Sequence, residues 1–210
     1  MAVPRPTALR STSIRALADL LGAPAADLPD VCVTGVTLDS RSVLPGDLYA
    51  ALPGARAHGA DFVAAAAASG ALAVLTDAVG ARRVRDSSVD LPLLVVQEPR
   101  AVLGSVAARV LGTDHLTLRM LGITGTNGKT TTAYLVHSAL TALGEGTGLI
   151  GTVETRIGDE RLGSVRTTPE APEPVSYTHL RAHETVLDLV CRLLLDNNNT
   201  TQSMTRHYEI

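Results

Sequence analysis

The residues best suited to chemistry are Lys129 and Thr130, which end the motif in Gly-Ile-Thr-Gly-Thr-Asn-Gly-Lys-Thr-Thr-Thr at 122–132. A strand that breaks into glycines and then opens a helix presents backbone N–H groups and partial positive charge to an anion. The glycines allow close backbone approach, a lysine here reaches β- and γ-phosphates, and the following hydroxyl can ligate Mg²⁺. The segment therefore predicts a phosphate-binding loop built from Gly125, Thr126, Asn127, Gly128, Lys129, Thr130 and Thr131.

Two features of this segment bear on the prediction. Lys129 is the only lysine in a chain whose other cations are arginines, which favours a specific role for it. The general phosphate-loop pattern has four residues between its first glycine and the Gly-Lys pair, whereas here Ile123 stands at that first position and Gly122 is one step too early. The alternative interpretation is a glycine-rich turn before a helix.

Elements on both sides of the loop are predicted to position it. Residues 116–121 indicate a strand, 131–143 a helix, 148–153 a further buried strand, and 154–165 a hairpin or loop. Upstream, apolar runs predict strands that alternate with helices, which is typical of an α/β domain ending near Asp114. The predicted strands there are 31–38, 48–52, 71–75 and 91–96, and the predicted helices are 14–21, 62–69 capped by Asp61, and 99–111 closed by Gly112. Residues 79–90 are predicted to form a charged loop.

Bulk properties exclude several classes of function. The net charge of the 210 residues is −3 with signs mixed along the chain, so neither a nucleic-acid nor an anionic-membrane surface is expected. No apolar run approaches the roughly 20 residues that span a bilayer, and residues 1–13 lack the apolar core of a signal peptide. Cys32 and Cys191 lie far apart without metal-ligand spacing. A cytoplasmic protein with small-molecule partners is expected.

The composition changes at about residue 175. Asn127 is the only asparagine upstream, whereas Asn197, Asn198 and Asn199 run together downstream, where alanine occurs once. Residues 175–185 and 188–195 resemble the conceptual translation of sequencing-library adapters. We therefore predict that 175–210 is a non-native tail. Its helical apolar spacing at 186–195 would give an adventitious helix at most, and His179, His183 and Cys191 would not form a metal site.

Several motifs together resemble one family. Leu-Asp-Ser-Arg at 38–41 and Pro-Gly-Asp-Leu at 45–48 look like the uridine-nucleotide domain of the Mur ligases, which build the peptidoglycan stem peptide, and 122–132 matches their phosphate loop. Gly148–Val153 and Thr167–Pro172 are similar to the MurE branch, which adds the third amino acid. The resemblance covers about 33–172. It implies a small N-terminal α/β uridine-nucleotide-binding domain at 1–114, followed at 115–174 by the truncated start of a P-loop, Rossmann-like ATP-binding domain.

The resemblance also assigns residues. It implies that Leu38 and Ser40 contact the uracil-ribose end of a UDP-linked substrate, that Ala55, Arg56 and Ala57 lie beside the UDP, and that Thr167 and Thr168 hold the muramoyl-peptide part. Some relatives have His-Gln at 55–56, where this chain has Ala-Arg. ATP would bind at 125–131, with Lys129 on the phosphates and Thr130 on Mg²⁺. The histidines His58, His115 and His137 receive no role.

The implied reaction joins an amine to a carboxylate that ATP has activated as an acyl phosphate. The expected partners are ATP, UDP-N-acetylmuramoyl-dipeptide and a diamino acid, with meso-diaminopimelate favoured because composition and motifs resemble actinobacterial members. A monomer is expected. The family's carbamylated lysine lies downstream of 172, and this chain has no second lysine, so we expect the chain itself to be inactive. A non-catalytic UDP-sugar or nucleotide-binding module and a MurF-type ligase remain alternatives.

Overall fold

A computed structural model describes residues 11–114, 119–151, 153–158, 160–162, 172 and 187–191. The chain divides into two compact units, and the division falls between Thr113 and Asp114. Among the described residues, no helix is both long and apolar enough to cross a membrane.

The first unit is built on a parallel sheet with helices on both faces. Its strands are β1 (Thr12–Ser13), β2 (Cys32–Val33), β3 (Gly35–Thr37), β4 (Asp47–Ala51), β5 (Ala73–Thr76) and β6 (Leu93–Val95). Its helices are α1 (Ile14–Leu21), a 3-10 helix (Gly59–Phe62), α2 (Val63–Ala68), α3 (Ala78–Asp86) and α4 (Pro99–Leu111). The main sheet has the order β3-β4-β5-β6 with every pair parallel, while β1 and β2 form a separate antiparallel pair. The predicted α/β class is confirmed for this unit.

Strand β4 shows why the sheet is covered on both faces. All five of its residues are buried, as expected for an inner parallel strand. Leu48 and Ala50 pack in one apolar cluster with residues of α1 and α4, whereas Tyr49 and Ala51 pack in a second cluster with residues of α2. Because successive side chains of a strand point to opposite faces, the five residues of β4 contribute to the apolar clusters on both faces of the sheet.

Two helices of this unit end where the sequence predicts. Helix α1 begins after Ser13, whose hydroxyl accepts the Arg15 N–H at 3.2 Å, and it ends at Gly22, which has φ of 61°. Helix α4 opens with Pro99 and ends at Gly112 with φ of 67°. A proline in the first turn and a glycine in the left-handed region after the last turn are the signals that set these boundaries.

Two predictions in the first unit are wrong. Residues 79–90 were expected to be a charged loop, but α3 occupies 78–86, because the Asp77 side chain caps it and Ala81 and Val84 are buried. Asp61 was expected to cap a helix at 62–69. Instead His58 caps the 3-10 helix, and Asp61 is its third residue, accepting the His58 N–H. Both errors concern short-range side-chain caps, from Asp77 to Gly80 and from His58 to Ala60, that the sequence pattern did not indicate.

The second unit contains a mixed sheet with one described helix. Its elements are β7 (Arg119–Gly122), α5 (Lys129–Ala142), β8 (Gly146–Ile150), β9 (Thr155–Ile157), β10 (Glu160–Leu162) and β11 (Leu187–Cys191). The sheet has the order β10-β9-β8-β11-β7, in which β7, β11 and β8 are parallel and β8, β9 and β10 are antiparallel. The hairpin expected at 154–165 is confirmed as β9 and β10.

Strand β11 departs from the expectation for the tail. Helical spacing at 186–195 predicted a helix, whereas residues 187–191 form a strand that pairs with both β7 and β8. A short apolar run fits either state, and a position between two parallel strands supplies backbone partners on both sides.

Candidate functional site

The predicted phosphate loop joins β7 to α5. Residues 123–128 form the connection, and α5 begins at Lys129 with Gly128 as its N-cap. Gly125 has φ of 144° and Gly128 has φ of 76°, conformations in which a residue with a Cβ is strained. Residues 124–128 are exposed. The two glycines thus shape an open backbone loop at a helix N-terminus.

The Lys129 side chain folds back over this loop. Its Nζ donates to the Gly125 carbonyl and, at 3.3 Å, to the Thr126 carbonyl. The first turn of α5 contains no acidic residue, so no carboxylate there offsets the positive end of the helix dipole. Positive charge from the ammonium and from the helix end therefore coincides at the loop.

Thr130 is the residue predicted to hold Mg²⁺. It is half-buried in the first turn of α5, and a single hydroxyl suits a cation that keeps several waters and takes its other ligands from phosphates. The described residues contain no cluster of three His, Cys, Asp or Glu side chains suited to a metal. Thr130 therefore fits a Mg²⁺ ion that would take most of its ligands from phosphates and water.

Helix α5 is held against the sheet by a small core and a polar cluster. Ala133 and Leu149 are buried together, with Ile123 packed against them. The Tyr134 hydroxyl donates to Glu154 Oε1 at 2.7 Å, and Arg156 lies over the Tyr134 ring at 5.5 Å while its Nε donates to the same carboxylate. These contacts fix the helix that begins at Lys129. Ile123, which replaces the usual glycine, thus contributes to packing.

The segments predicted to contact uridine follow neighbouring strands. Leu38 to Ser40 comes directly after β3, and residues 53–57 come after β4. Because β3 and β4 are adjacent and parallel, both segments lie at the carboxyl edge of the sheet, where ligands bind in open α/β folds. Asp39 holds Arg41 through two contacts of 2.9 Å from Nε and Nη2. Ala55, Arg56 and Ala57 are exposed.

Tyr49 connects these two segments. Its side chain is 1% exposed, and its hydroxyl donates to the Gly59 carbonyl at 2.9 Å. Burial and the charge of Asp39 raise the pKa of Tyr49 to about 12, although a hydrogen bond with Ser40 acts in the opposite direction. The phenol therefore lies beside Ser40 on one side and the end of the 53–59 loop on the other.

Tyr49 should make the first unit sensitive to alkali. The unfolded chain ionises its tyrosines near pH 10, but Tyr49 stays protonated in the folded state until about pH 12. The resulting stabilisation is complete below pH 10 and is lost as the pH rises to 12, by about 3 kcal/mol. Urea unfolding at pH 9 and pH 11 should show about half of this loss, roughly 1.4 kcal/mol. Tyr49→Phe should remove most of the loss, whereas Tyr134→Phe, in the other unit, should leave it; equal losses in both variants would contradict the assignment.

Two predicted site residues are not described by the structure, and one residue without a predicted role lies beside the site. Thr167 and Thr168 lie outside the described residues, so their placement stays a prediction. His58 received no role from sequence, yet its buried imidazole contacts Asp77 at 3.1 Å beside the predicted uridine loop. The signal that could have found it is a histidine between a Gly-bearing loop and a helix start, a position that favours capping side chains.

Comparison with known proteins gives matches over both units. Residues 32–110 match the profile "Mur ligase family, catalytic domain", and residues 123–187 match "Mur ligase middle domain". The chain is 57% identical over 170 residues to the UDP-N-acetylmuramoyl-L-alanyl-D-glutamate--2,6-diaminopimelate ligase of Streptomyces coelicolor, covering 81% of this chain and 33% of that protein. It is 45% identical over 147 residues to the UDP-N-acetylmuramyl-tripeptide synthetase of Leifsonia xyli, covering 70% of this chain and 28% of that protein.

Solved structures support the same fold. A UDP-N-acetylmuramoyl-L-alanyl-D-glutamate--2,6-diaminopimelate ligase superposes with a TM-score of 0.64 at 24% identity, over 87% of this chain and 36% of that one. MurF from Acinetobacter baumannii gives a TM-score of 0.59 at 22% identity, over 88% of this chain and 36% of that one. The chain spans about a third of the length of the curated relatives it matches.

Proposed function

The chain belongs to the Mur ligase family, and from this premise we propose that it carries the uridine-substrate unit and the phosphate loop of a diaminopimelate-adding ligase. The intact enzyme would be a cytoplasmic, monomeric protein that joins meso-diaminopimelate to UDP-N-acetylmuramoyl-L-alanyl-D-glutamate in peptidoglycan synthesis. The observation that carries the proposal is the 57% identity to the Streptomyces coelicolor relative of that name over 81% of this chain.

The names of the relatives favour this branch over a MurF-type ligase. Curated relatives at 41% to 57% identity include six named as diaminopimelate ligases. The structures titled MurF from Acinetobacter baumannii are 22% identical or less, and likeness at that level concerns the fold alone.

In the proposed site, residues 125–131 bind the triphosphate of ATP. The Lys129 ammonium would exchange its contacts with the Gly125 and Thr126 carbonyls for β- and γ-phosphate oxygens. The Thr130 hydroxyl would be one ligand of Mg²⁺, which would neutralise phosphate charge. The exposed loop and the acid-free first turn of α5 support this role. Leu38, Ser40 and residues 55–57 would hold the uridine end of the substrate, and Thr167 and Thr168 its peptide end.

The chemistry requires positioning more than covalent help from the protein. A substrate carboxylate oxygen attacks the γ-phosphorus, ADP leaves, and the amine then attacks the acyl carbon with phosphate as the leaving group. Each step is a displacement between bound reactants, so alignment and charge stabilisation supply most of the rate. Lys129 and the backbone of the loop provide one side of that arrangement.

A chimera tests the proposal. Residues 1–172 of this chain would replace the matching segment of the Streptomyces coelicolor relative, which supplies the remaining two thirds. We expect phosphate release that requires ATP, UDP-N-acetylmuramoyl-L-alanyl-D-glutamate and meso-diaminopimelate together. A folded chimera that releases no phosphate would refute the ligase proposal, and uridine-nucleotide binding without turnover would support the non-catalytic alternative.

We also propose that 175–210 does not belong to the natural ligase, on the basis of its composition and its resemblance to adapter translations. The position of β11 in the sheet and the family match to residue 187 are the observations against it. Amplifying genomic DNA across the codons for 165–185 should give a sequence that diverges near residue 174. Genomic reads that continue into Val175 and beyond would overturn the proposal.

A further inference from the structure

The loop at 53–59 has a fixed base and an exposed tip. Pro53 and His58 form an antiparallel bridge, and the Gly59 N–H donates to the Leu52 carbonyl at 2.8 Å. Between these ties the chain turns tightly: a Cβ at Gly54 would lie 2.7 Å from the Ala57 carbonyl oxygen. Residues 54–57 are exposed. The base therefore decides where the tip points.

The tip of the loop can present main-chain N–H groups to an anion, so the orientation of its backbone matters for binding. Ala55 and Ala57 carry no hydrogen-bonding side-chain atoms, so these two residues can contact a diphosphate only through main-chain N–H groups. Between them, the exposed Arg56 could add a guanidinium contact, but its backbone is held by the same loop. The direction of a main-chain donor is set by the loop conformation and cannot be corrected by a side-chain rotation. An anion site of this kind depends on whatever holds the loop.

His58 is the residue that holds it. The side chain is 7% exposed, and Nδ1 accepts the Ala60 N–H at 3.0 Å. With Nδ1 an acceptor, the hydrogen of the neutral imidazole is on Nε2, which donates to Asp77 Oδ1 at 3.1 Å. Both ring nitrogens are used, so the ring is fixed in orientation and in tautomer.

Asp77 is itself anchored in the sheet unit. It follows β5 and caps α3, where Oδ1 also accepts the Gly80 N–H at 2.7 Å. Although burial raises the pKa of Asp77, the hydrogen bonds from Gly80 and His58 outweigh it and hold the pKa below its usual value. The space around the pair is full: a Cβ at Gly80 would lie 2.5 Å from His58 Cε1.

We propose that His58 is a positioning residue that, through Asp77, holds residues 55–57 so that their main-chain N–H groups bind the diphosphate of a uridine nucleotide. The inference rests on the proposed function and extends it to residues outside the predicted site. Two contacts join the region of the loop to α3. The first is the contact of His58 with Asp77, and the second, which serves as a control, is an ion pair. Arg83 of α3 contacts Asp61 at 2.7 Å, but both side chains are largely exposed.

Four variants of the complete chain separate positioning from general stability. His58→Asn keeps an oxygen that can accept the Ala60 N–H but is too short to reach Asp77. Asp77→Ala removes the anchor, whereas Asp77→Asn keeps a carbonyl oxygen that can accept from both His58 and Gly80. Arg83→Gln removes the exposed ion pair between the same two elements.

The probe is uridine diphosphate, titrated into ¹⁵N-labelled protein while the amide signals of residues 38–40 and 54–60 are followed. We expect His58→Asn and Asp77→Ala each to raise Kd about five- to tenfold, which corresponds to the free energy of about one hydrogen bond. The double variant His58→Asn with Asp77→Ala should bind uridine diphosphate no more weakly than either single variant, because both substitutions break the same contact. Asp77→Asn and Arg83→Gln should stay within about twofold of the unsubstituted chain.

The outcomes distinguish this inference from the proposed function. No uridine diphosphate shifts in the unsubstituted chain would overturn the assignment of 55–57 and this inference with it. Shifts with an unchanged Kd in His58→Asn would overturn the inference and leave the function standing. An equal loss in Arg83→Gln, or additive losses in the double variant, would also overturn it, because either result would mark a general loss of stability.

Discussion

Replacing Lys129 with Met in the chimeric ligase should lower kcat/KM for ATP by about a hundred- to a thousandfold, the cost of removing one preorganised donor from a developing charge. The half-buried Lys129 ammonium contacts only carbonyls of its own loop in the bonds seen here, and Met preserves the length of the aliphatic chain. Folding should therefore change little. Steady-state phosphate release against ATP concentration measures the effect, and thermal unfolding checks the fold.

Two variants make the Lys129 result specific. Lys129→Arg should not restore activity, because a planar guanidinium is broader than an ammonium and does not fit the same close approach to β- and γ-phosphates. Arg161→Met removes an exposed cation from the same unit, one that lies 4.0 Å from Glu154, and should leave kcat/KM within about twofold. If Lys129→Met retained a tenth or more of the activity, the nucleotide role of the loop would be wrong.

The phosphate loop was predictable because its determinants are local. Glycines at Gly125 and Gly128 can be recognised from sequence spacing alone, and the structure gives both positive φ values. The ends of α1 and α4 were predictable for the same reason, since Ser13, Gly22, Pro99 and Gly112 act on backbone groups within one turn. Local signals of this kind need no knowledge of the tertiary structure.

What could not be predicted depends on contacts rather than on sequence spacing. The contact between His58 and Asp77 joins residues 19 positions apart, and no periodicity indicates it. Helix α3 was missed because Arg82, Arg83, Arg85 and Asp86 give its sequence the polarity of a loop, whereas its stability comes from the Asp77 cap and three buried residues. Strand β11 was missed because backbone pairing on both sides, rather than side-chain spacing, defines it.

The position of Tyr49 shows that the proposed uridine site depends on tertiary contacts between segments that are separate in sequence. Sequence analysis assigned Leu38, Ser40 and residues 55–57 from a resemblance, without indicating how the two segments are held together. In the fold, a buried phenol contacts both: its hydroxyl reaches the Gly59 carbonyl, and Ser40 is close enough to affect its pKa. The neighbouring strands β3 and β4 bring the segments to one edge, and Tyr49 and His58 then fix their ends.

The replacement Gly59→Ala should strongly destabilise the first unit. A Cβ at Gly59 would lie 2.8 Å from Ala51 Cα, 2.8 Å from the Leu52 nitrogen and 2.9 Å from the Ala51 carbonyl carbon. These are main-chain atoms at the end of β4, which is paired on both sides. Unlike a side chain, they cannot rotate away, so the loop at 53–59 must move outward.

That movement should cost about 3 kcal/mol: about 1–3 kcal/mol for overpacking and about 1 kcal/mol for the strained hydrogen bonds at Gly59. For a unit of this size, the unfolding midpoint should fall by about 10–20 °C, measured by circular dichroism on the complete chain.

Gly22→Ala is the matched control, because Gly22 has φ of 61° but nothing within 4 Å of its added Cβ, so only the strain of about 1 kcal/mol applies. Gly59→Ala should also weaken uridine diphosphate binding, since the displaced loop includes residues 55–57, whereas Gly22→Ala should not. A midpoint for Gly59→Ala as high as that for Gly22→Ala would mean that the base of the loop is not tightly packed against β4, and the positioning role of His58 would lose its structural basis.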